Sequence, residues 1–373
     1  MRKILFTIGN RAHYARIKPI IEKLNELCEY KILVYDTAYS VMKDKLKCDN
    51  FSNNCVFINT FVPGGNLKSM TKSVGKAIYL ISDFFEDYKP DIVVVVADRY
   101  EIMAPAIVAR YMNICLVHIQ GGEITGTIDD TVRHTISKLA NYHFVSNLSA
   151  KNNLINMGER DDHIFITGCP TIDIIKENDD KMLKFALEFW QEYGVQNIPK
   201  YIMVNFHPVT TEYLNNSNYI DILYKSIKKL DYKIVWLLPN SDAGSNKILK
   251  ELEKIQTKQE NIIFIKNLEP LKYLALVKYS NCIVGNSSVG IRESSFMGVP
   301  SVTIGTRQQN RDVSKNVVKC DMNSKQIEEC IKYQLAHGKY KISYLYGPGN
   351  ASVKIANLLL NIKLENEKYY GGK

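Results

Sequence analysis

Residues 91–140 read DIVVVVADRYEIMAPAIVARYMNICLVHIQGGEITGTIDDTVRHTISKLA, and their pattern is the clearest indication of the architecture of the chain. Two runs of strand length, Ile92–Ala97 and Ile114–Ile119, are apolar apart from His118 in the second, and both are typical of β-strands. A helix-like segment follows and opens with Asp129 and Asp130. This alternation predicts an α/β protein with a parallel sheet.

Both apolar runs end at polar residues that a purely structural strand does not need. The first ends at Asp98-Arg99, the second runs into polar residues from His118 to Glu123, and the helix that follows carries Arg133. In open α/β sheets, ligands bind beyond the carboxyl ends of the strands. These element ends therefore predict an active site that gathers carboxylates, an arginine and a histidine.

Strand and helix patterns continue to alternate on both sides of this stretch. We expect further first-domain strands at 3–7, 31–35, 143–146 and 164–167, and a second alternating series from residue 201 onward. Within that series, the segment after Gly285 predicts one helix that runs to Gly298. The break at Gly168-Cys169-Pro170 marks the expected boundary between a domain of residues 1–170 and one of residues 171–373. The pattern predicts two Rossmann-like, doubly wound domains facing a cleft, with a tail helix at 351–364 that packs back on the N-terminal domain.

Composition indicates a cytoplasmic globular protein. Hydrophobic residues make up 46% and charged residues 23%, and no apolar run approaches the roughly 18 residues of a membrane span. The eight cysteines lie far apart without a C-x-x-C pair, so core thiols are expected rather than a disulfide or zinc framework. The formal charge of +9 is spread along helices, which favours an anionic small substrate and predicts neither a nucleic-acid nor a membrane partner.

The second half contains features that suit a nucleotide. After a strand at 282–284, small polar residues at a helix start leave backbone N–H groups available for phosphate. N-capping by a serine would explain the serines alone, but other polar residues at element ends accompany them. The candidate nucleotide-binding residues are Asn286, Ser287 and Ser288 for phosphate, Glu293 for ribose hydroxyls, and Arg307 and His207 at further strand ends. There is neither a G-x-G-x-x-G nor a P-loop motif.

The two aspartates at the helix start have different expected roles. Thr127-x-x-Asp130 fits a capping box, which gives Asp130 a structural explanation. Helical spacing places Asp129 and Arg133 beside a buried face marked by Val132, Ile136 and Leu139 and places Asp130 further out. We therefore expect Asp129 to line the site together with Asp98. Gly121-Gly122 would let the backbone approach a ligand closely, or would simply form a turn.

Several motifs together resemble the hydrolysing UDP-N-acetylglucosamine 2-epimerases of sialic acid biosynthesis. They are ADRYEIMAPA, HIQGGEITGTIDDTVRHTISKLANYHF, GCPTIDII, HPVTT, PNSDAGS, GNSSVGIRES and IGTRQQNR, in order along nearly the whole chain. The resemblance implies the glycosyltransferase-B type fold, with UDP held mainly by the second domain. It also implies nucleotide-binding roles for Arg11, Arg99, His207, Asn240, Ser287, Ser288, Glu293 and Arg307, and catalytic roles for Asp98 and Asp129.

The reaction that the resemblance implies releases UDP and N-acetylmannosamine through a 2-acetamidoglucal. Loss and return of the C2 proton on opposite faces needs two groups, and an oxocarbenium-like centre favours nearby carboxylates. Arginine, histidine and backbone N–H groups can stabilise the departing diphosphate, so neither a metal nor another cofactor is expected. The resemblance also implies a homodimer or homotetramer. We do not extend to this chain the feedback control of animal relatives.

One departure from the family pattern bears on the chemistry. Many relatives carry glutamate where this chain has Gln120, and an amide cannot accept a proton at neutral pH. Glu123 or Asp129 would take over, or the substrate differs. UDP-2,4-diacetamido-2,4,6-trideoxyglucose, on the legionaminic acid route, is therefore an open alternative. Two readings from other classes also remain: a glycosyltransferase of the same fold, and a non-catalytic nucleotide-sugar binding protein.

Overall fold

The computed structural model describes residues 1–24, 27–239, 243–256 and 261–365. The chain forms two compact units. The first comprises Met1–Ile124, Ile128–Asp173 and Gly347–Lys373, and the second comprises Thr125–Thr127 and Ile174–Tyr346. Across the described ranges, none of the helices combines the length and the apolar character that crossing a membrane requires.

The first unit is built on a seven-stranded sheet in which every paired strand runs parallel to its neighbour. Its strands are β1 (Lys3–Ile8), β2 (Glu29–Val34), β3 (Cys55–Phe57), β4 (Ile92–Val96), β5 (Cys115–Ile119), β6 (Tyr142–Val145) and β7 (Ile164–Ile166). Their spatial order is β3-β2-β1-β4-β5-β6-β7. The order reverses between β1 and β4, and such a reversal is the usual position of a ligand site in a doubly wound sheet.

Helices cover both faces of this sheet. They are α1 (Arg11–Leu24), α2 (Ala38–Val41), α3 (Lys43–Cys48), α4 (Leu67–Tyr88), α5 (Met103–Tyr111), α6 (Ile128–Leu139), α7 (Leu148–Asn156) and, from the end of the chain, α15 (Ala351–Asn361). Because side chains alternate along a strand, β1 serves two cores: Ile4 and Phe6 pack in the core that contains α1 and α15, and Leu5 packs in the core that contains α4 and α5.

The last helix is anchored to the first unit by hydrogen bonds at both ends. Asp173 accepts hydrogen bonds from the backbone N–H groups of Ala351 (3.1 Å) and Ser352 (2.6 Å), where a carboxylate also interacts favourably with the helix dipole. At the other end, Arg2 donates to the carbonyl of Leu359 (2.9 Å). The N- and C-terminal segments of the described chain therefore stabilise the same core.

The second unit repeats the architecture with six parallel strands. They are β8 (Tyr201–Asn205), β9 (Lys233–Leu237), β10 (Ile262–Ile265), β11 (Cys282–Gly285), β12 (Ser301–Ile304) and β13 (Val317–Cys320), in the order β10-β9-β8-β11-β12-β13. Helix α8 (Pro170–Glu177) begins in the first unit and ends in the second, since the two units meet between Asp173 and Ile174. The other helices of the second unit are α9 (Met182–Glu192), α10 (Asn216–Ile227), α11 (Ser245–Gln256), α12 (Pro270–Tyr279), α13 (Arg292–Met297) and α14 (Ser324–His337).

The predicted fold class is confirmed: each unit is a parallel sheet with helices on both faces. Two local predictions need correction. The pattern did not predict the edge strand Val317–Cys320, in which only the first and the last residue are buried. The single helix expected between Ser288 and Gly298 is a 3-10 turn, Ser288–Gly290, followed by the six-residue α13.

Candidate functional site

Two strands of the first unit end in the same unusual backbone conformation. Ala97 after β4 and Gln120 after β5 have φ values of 69° and 64°, which non-glycine residues seldom adopt. The N–H of Ala97 donates to the carbonyl of Ile119 (2.9 Å), so the turn is tied to the neighbouring strand. Non-glycine residues with positive φ cluster at functional sites, and this turn carries Asp98 immediately beyond the edge of the sheet.

Arg133 on α6 is the centre of the polar cluster at this edge. Its guanidinium forms an ion pair with Asp98, and its Nη1 donates to Asp130 Oδ1 (2.6 Å) and to the carbonyl of Glu123 (2.6 Å). The side chain is completely buried. Burial lowers the pKa of Arg133, but the carboxylates of Asp98 and Glu123 outweigh this and raise it overall. The arginine is therefore a fixed positive charge that joins β4, β5 and α6.

The environment of α6 differs from the one that helical spacing predicted. The buried residues of the helix are Arg133, Ile136 and Ser137, so Ile136 is buried as expected, but Val132 and Leu139 are only partly buried and the buried face is centred on Arg133. Asp130, interpreted from the sequence as a capping residue that points outward, contacts Arg133 and belongs to the cluster. Asp129 is half-buried at the start of the helix. The missed signal was the i, i+3 spacing of Asp130 and Arg133, which permits an ion pair.

Glu123 and Gln120 are both buried in the loop that follows β5. Glu123 Oε1 accepts a hydrogen bond from Ser146 Oγ at the end of β6 (2.9 Å), and the residue is only 4% exposed. The Gln120 amide donates to the Sγ of Cys169 (3.0 Å). The cluster thus includes the ends of β6 and β7 as well as those of β4 and β5.

Gly121 and Gly122 are required by packing within the first unit. A Cβ on Gly121 would lie 2.7 Å from His118 Nδ1, and one on Gly122 would lie 2.3 Å from the carbonyl oxygen of Ala150. Gly122 also has a φ of 76°. Close internal packing accounts for both glycines, so a ligand is not needed to explain them.

Arg99 is oriented by a buried acid that the sequence reasoning did not single out. Glu101 Oε1 accepts from Arg99 Nε (2.9 Å) and from Asn10 Nδ2 (2.6 Å), and Glu101 is 1% exposed. Glu101 therefore connects the ends of β1 and β4, where the strand order reverses. Arg11, the first residue of α1, is exposed next to Asn10.

A second buried acid, Asp36, lies near Glu101. Its Oδ1 accepts from Tyr100 Oη (3.0 Å), while no hydrogen-bond partner of its Oδ2 is found among the described residues. Burial and the nearby Glu101 carboxylate raise the pKa of Asp36 to about 6. Asp36 and Glu101 are therefore two buried acids close to each other, and Glu101 also contacts Arg99.

In the second unit, His207 and Asn286 are joined at the corresponding reversal of strand order. Asn286 Oδ1 accepts from the N–H of His207 (2.7 Å), and Asn286 Nδ2 donates to the carbonyl of His207 (2.8 Å). Arg307 Nη1 donates to the carbonyl of Asn286 (3.2 Å). Three of the predicted nucleotide-binding residues are therefore neighbours, and the fully buried Asn286 side chain holds the other strand end in place.

The serines that follow Asn286 are not explained by helix capping. Ser287 precedes the 3-10 turn, and its side chain makes no capping hydrogen bond. Ser287 and Ser288 are half-buried and directly follow the end of β11. This arrangement suits an anion, although the helix that follows is too short to contribute much dipole.

Glu293 on α13 has a buried carboxylate beside Tyr273. The residue is 5% exposed, and no hydrogen-bond partner of its Oε2 is found among the described residues. Burial, and then the charge of Glu293, raise the pKa of Tyr273, whose hydroxyl accepts from Asn205 Nδ2 (2.7 Å). An acceptor oxygen of this kind suits a hydroxyl-rich ligand. Asn240, also predicted to bind the nucleotide, lies outside the described residues.

The two clusters can perform different chemistry. In the first unit the carboxylates of Asp98 and Asp130 and the backbone carbonyl of Glu123 contact one buried guanidinium, and Asp129 lies at the start of the same helix. Such a site can transfer protons and stabilise positive charge on a sugar ring. The second unit offers N–H groups, an arginine and a buried carboxylate, which suit a nucleoside diphosphate.

The sequence and the fold both match those of known proteins. The family described as UDP-N-acetylglucosamine 2-epimerase matches residues 52–360. The chain is 32% identical over 360 residues to the UDP-N-acetylglucosamine 2-epimerase of Neisseria meningitidis serogroup B, covering 94% of this chain and 92% of the relative. It is 31% identical over 373 residues to the UDP-N,N'-diacetylbacillosamine 2-epimerase (hydrolyzing) of Legionella pneumophila, covering 98% of each.

The fold is also that of solved proteins. The crystal structure of Methanocaldococcus jannaschii UDP-GlcNAc 2-epimerase in complex with UDP-GlcNAc and UDP matches with a TM-score of 0.82 at 20% identity, covering 96% of this chain and 99% of that chain. At this identity the likeness concerns the fold, which is the two-domain, Rossmann-like glycosyltransferase-B type.

Proposed function

The chain belongs to the UDP-N-acetylglucosamine 2-epimerase family, and we propose that it is a hydrolysing member that converts UDP-N-acetylglucosamine to UDP and N-acetylmannosamine. The observation that carries this proposal is the buried Arg133 at the strand ends of the first unit, which is paired with Asp98 and Asp130 and whose pKa is also raised by the charge of Glu123. A unit that only bound an acceptor or a nucleotide would not need this concentration of acids. Hydrolysis with inversion at C2 needs two groups for proton transfer, and further carboxylates stabilise the oxocarbenium-like centre.

The carboxylates divide into two roles. Asp98 and Asp130 are ion-paired with Arg133, which suits groups that remain charged beside an oxocarbenium-like C1. Asp129 and Glu123 are assigned the proton transfers. One of them removes the C2 proton while the C1–O bond breaks. The electron pair of the C1–O bond leaves with UDP, the pair of the C2–H bond forms the C1–C2 double bond, and a 2-acetamidoglucal results. Water then adds its hydroxyl at C1, while a proton returns to C2 from the opposite face, which requires a second group.

The second unit is assigned the nucleotide. Glu293 accepts hydrogen bonds from the ribose hydroxyls, because its buried Oε2 has no hydrogen-bond partner among the described residues. Ser287, Ser288 and Arg307 bind the diphosphate, and His207, which Asn286 holds in position, is a further contact. The nucleotide-binding roles that the resemblance implies for Arg11 and Arg99 of the first unit stay predictions. These donors stabilise the departing UDP, so this proposal includes no metal and no other cofactor.

A second candidate substrate is UDP-2,4-diacetamido-2,4,6-trideoxyglucose. Its support is Gln120, an amide where many relatives carry a carboxylate, and the 31% identity to the Legionella pneumophila enzyme named for a diacetamido sugar. The Gln120 amide donates a hydrogen bond to the Sγ of Cys169. This contact suits a residue that shapes the sugar pocket, whereas a residue that transfers a proton would need a titratable group.

The direct test is NMR of both UDP-sugars with the enzyme in deuterated water. We expect release of UDP and a free 2-epimeric sugar that carries deuterium at C2, and the faster of the two reactions identifies the substrate. Protein with Asp98→Asn serves as the blank. A UDP-linked 2-epimer without UDP release would indicate a non-hydrolysing epimerase. Transfer to an acceptor would indicate a glycosyltransferase, and tight UDP binding without turnover a binding protein.

We also infer a homodimer or homotetramer from family membership. Light scattering at micromolar concentration tests this, and a monomer would contradict it. A cytoplasmic location fits a nucleotide-sugar substrate.

A further inference from the structure

His118 on β5 is adjacent to the polar cluster around Arg133. It contacts the turn after β4 and helix α6, which both carry residues of that cluster. Its Nε2 is 2.8 Å from the carbonyl oxygen of Ala97, and its Nδ1 is 3.0 Å from Ser137 Oγ. The side chain is completely buried. The imidazole therefore bridges the turn after β4 and the inner face of α6.

These two contacts determine the protonation state of the ring. A carbonyl oxygen only accepts hydrogen bonds, so Nε2 must carry a hydrogen. Burial lowers the pKa of His118 to about 3, so the ring is neutral at physiological pH and Nδ1 has a lone pair. Nδ1 therefore accepts from the Ser137 hydroxyl. A neutral ring with a fixed tautomer and a carbonyl as partner cannot deliver a proton to the site.

Both partners of His118 adjoin residues of the cluster. Ala97 precedes Asp98 and has the unfavourable φ of 69°. Ser137 lies one helical turn after Arg133 on the same buried face. The backbone of Gly121 covers the bond between the ring and Ser137, since a Cβ there would lie 2.7 Å from each of the two bonded atoms.

We propose that His118 is a positioning residue that sets the distance between Asp98 and Arg133 by holding Ala97 and Ser137 at the two ends of one imidazole. This role rests on the function proposed above. Holding the Ala97 carbonyl keeps the strained turn in place, and holding Ser137 keeps α6 in register with β4. We call the contacts of His118 with Ala97 and Ser137 the clamp. Without it, the side chains of Asp98 and Arg133 are still present but are displaced from each other, which slows the chemical step.

Two substitutions separate the two ends of the clamp. In His118→Gln the amide nitrogen can take the place of Nε2 and keep the bond to Ala97. In His118→Asn the amide oxygen can take the place of Nδ1 and accept from Ser137, but no donor reaches the carbonyl of Ala97. We expect His118→Gln to retain kcat within about threefold. We expect His118→Asn to lower kcat by about 10- to 100-fold, the usual range for residues that orient a catalytic group. KM and the Kd for UDP should change little in both.

His143 provides the matched control. It pairs in register with His118 on the adjacent strand and is equally buried, but its Nε2 contacts Glu159 (3.0 Å). We expect His143→Gln to leave kcat unchanged even where it lowers the melting temperature. The proposal would be overturned if His118→Asn and His118→Gln had the same kcat, or if His143→Gln lowered kcat as much as His118→Asn does.

Crystal structures of the two His118 variants separate this proposal from the proposed function. A longer Asp98–Arg133 distance in His118→Asn than in His118→Gln supports positioning even if no UDP-sugar is turned over, and unchanged distances refute it. Should His118→Asn not fold, nitrogen-15 NMR of the wild-type histidine rings decides. A neutral ring protonated at Nε2 is expected, and a proton on Nδ1 or a charged ring at pH 7 would refute the clamp.

Discussion

Arg133 and Asp98 form an ion pair in which the arginine side chain is completely buried while the aspartate is 19% exposed. A buried guanidinium is costly unless its donors are paired, and here Asp98, Asp130 and the carbonyl of Glu123 supply the acceptors. The site is thus built around a charge that depends on its neighbours for stability. Changing a partner should affect folding as well as catalysis.

Asp98→Ala should destabilise the first unit by about 3 kcal/mol, because it leaves a buried charge with fewer partners. Both tryptophans, Trp190 and Trp236, belong to the second unit, so urea unfolding followed by circular dichroism and by tryptophan fluorescence distinguishes the two units. Glu22→Ala, which removes an i, i+4 partner of Lys18 on the surface of α1, should cost no more than about 0.5 kcal/mol. Equal effects of the two substitutions would contradict the assignment.

Asp36→Asn should stabilise the protein at pH 7.5 and have little effect near pH 4. The pKa of Asp36 is raised from 3.8 to about 6 by burial and by Glu101, so the folded state retains a proton that the unfolded state releases. Stability from this group is therefore complete below pH 4 and is lost as pH rises through about 6. The gain at pH 7.5 should be roughly 1–3 kcal/mol. Urea unfolding at both pH values measures it, and a difference independent of pH would refute it.

Gln120→Glu should not increase turnover of UDP-N-acetylglucosamine, and it should lower stability by about 1–3 kcal/mol. The substitution replaces a buried amide donor to Cys169 with a carboxyl group that lacks that donor. Adding Cys169→Ser supplies a stronger O–H donor and should recover part of the loss. A double-mutant cycle on the free energy of unfolding measures this coupling. Higher activity of Gln120→Glu alone would show that the family's carboxylate chemistry can be restored.

Asp129→Asn should lower kcat by about 10²–10⁴-fold, the usual effect of losing a general base. Asp130→Asn should cost about tenfold, because its amide oxygen can still accept from Arg133 while its charge is lost. The Kd for UDP should change little in both, since the nucleotide is assigned to the second unit. Steady-state kinetics with calorimetry checks these values. A larger loss for Asp130→Asn would transfer the base role to Asp130.

Glu293→Ala should weaken UDP binding by about 1.5–3 kcal/mol, the usual scale for hydrogen bonds to a charged group. The buried Oε2 has no partner among the described residues, so it is available for a ribose hydroxyl. Glu251→Ala, on the exposed face of α11 in the same unit, is the control and should leave affinity unchanged. Isothermal titration calorimetry measures both. An unchanged affinity of Glu293→Ala would remove this residue from the nucleotide site.

Much of the candidate site was predictable because strand-end positions follow from local patterns. Asp98, Glu123 and Arg133 were all selected because they follow or adjoin apolar runs, and the structure brings them together. Asp130 and Glu101 were missed. Asp130 had a sufficient local explanation as a cap, and Glu101 lies in a three-residue 3-10 turn, which is too short for periodicity to indicate burial.

The sequence by itself determined the two parallel sheets, the order of the strands along the chain and the edge at which polar residues collect. These properties follow from hydrophobic periodicity, which is encoded within a few residues. Only the tertiary structure decided that Arg133 lies at the centre of the buried face of α6, that Gln120 is committed to Cys169 and that His118 joins Ala97 to Ser137. Each of these depends on partners 19 to 49 residues away or on packing by other elements, which local spacing does not encode.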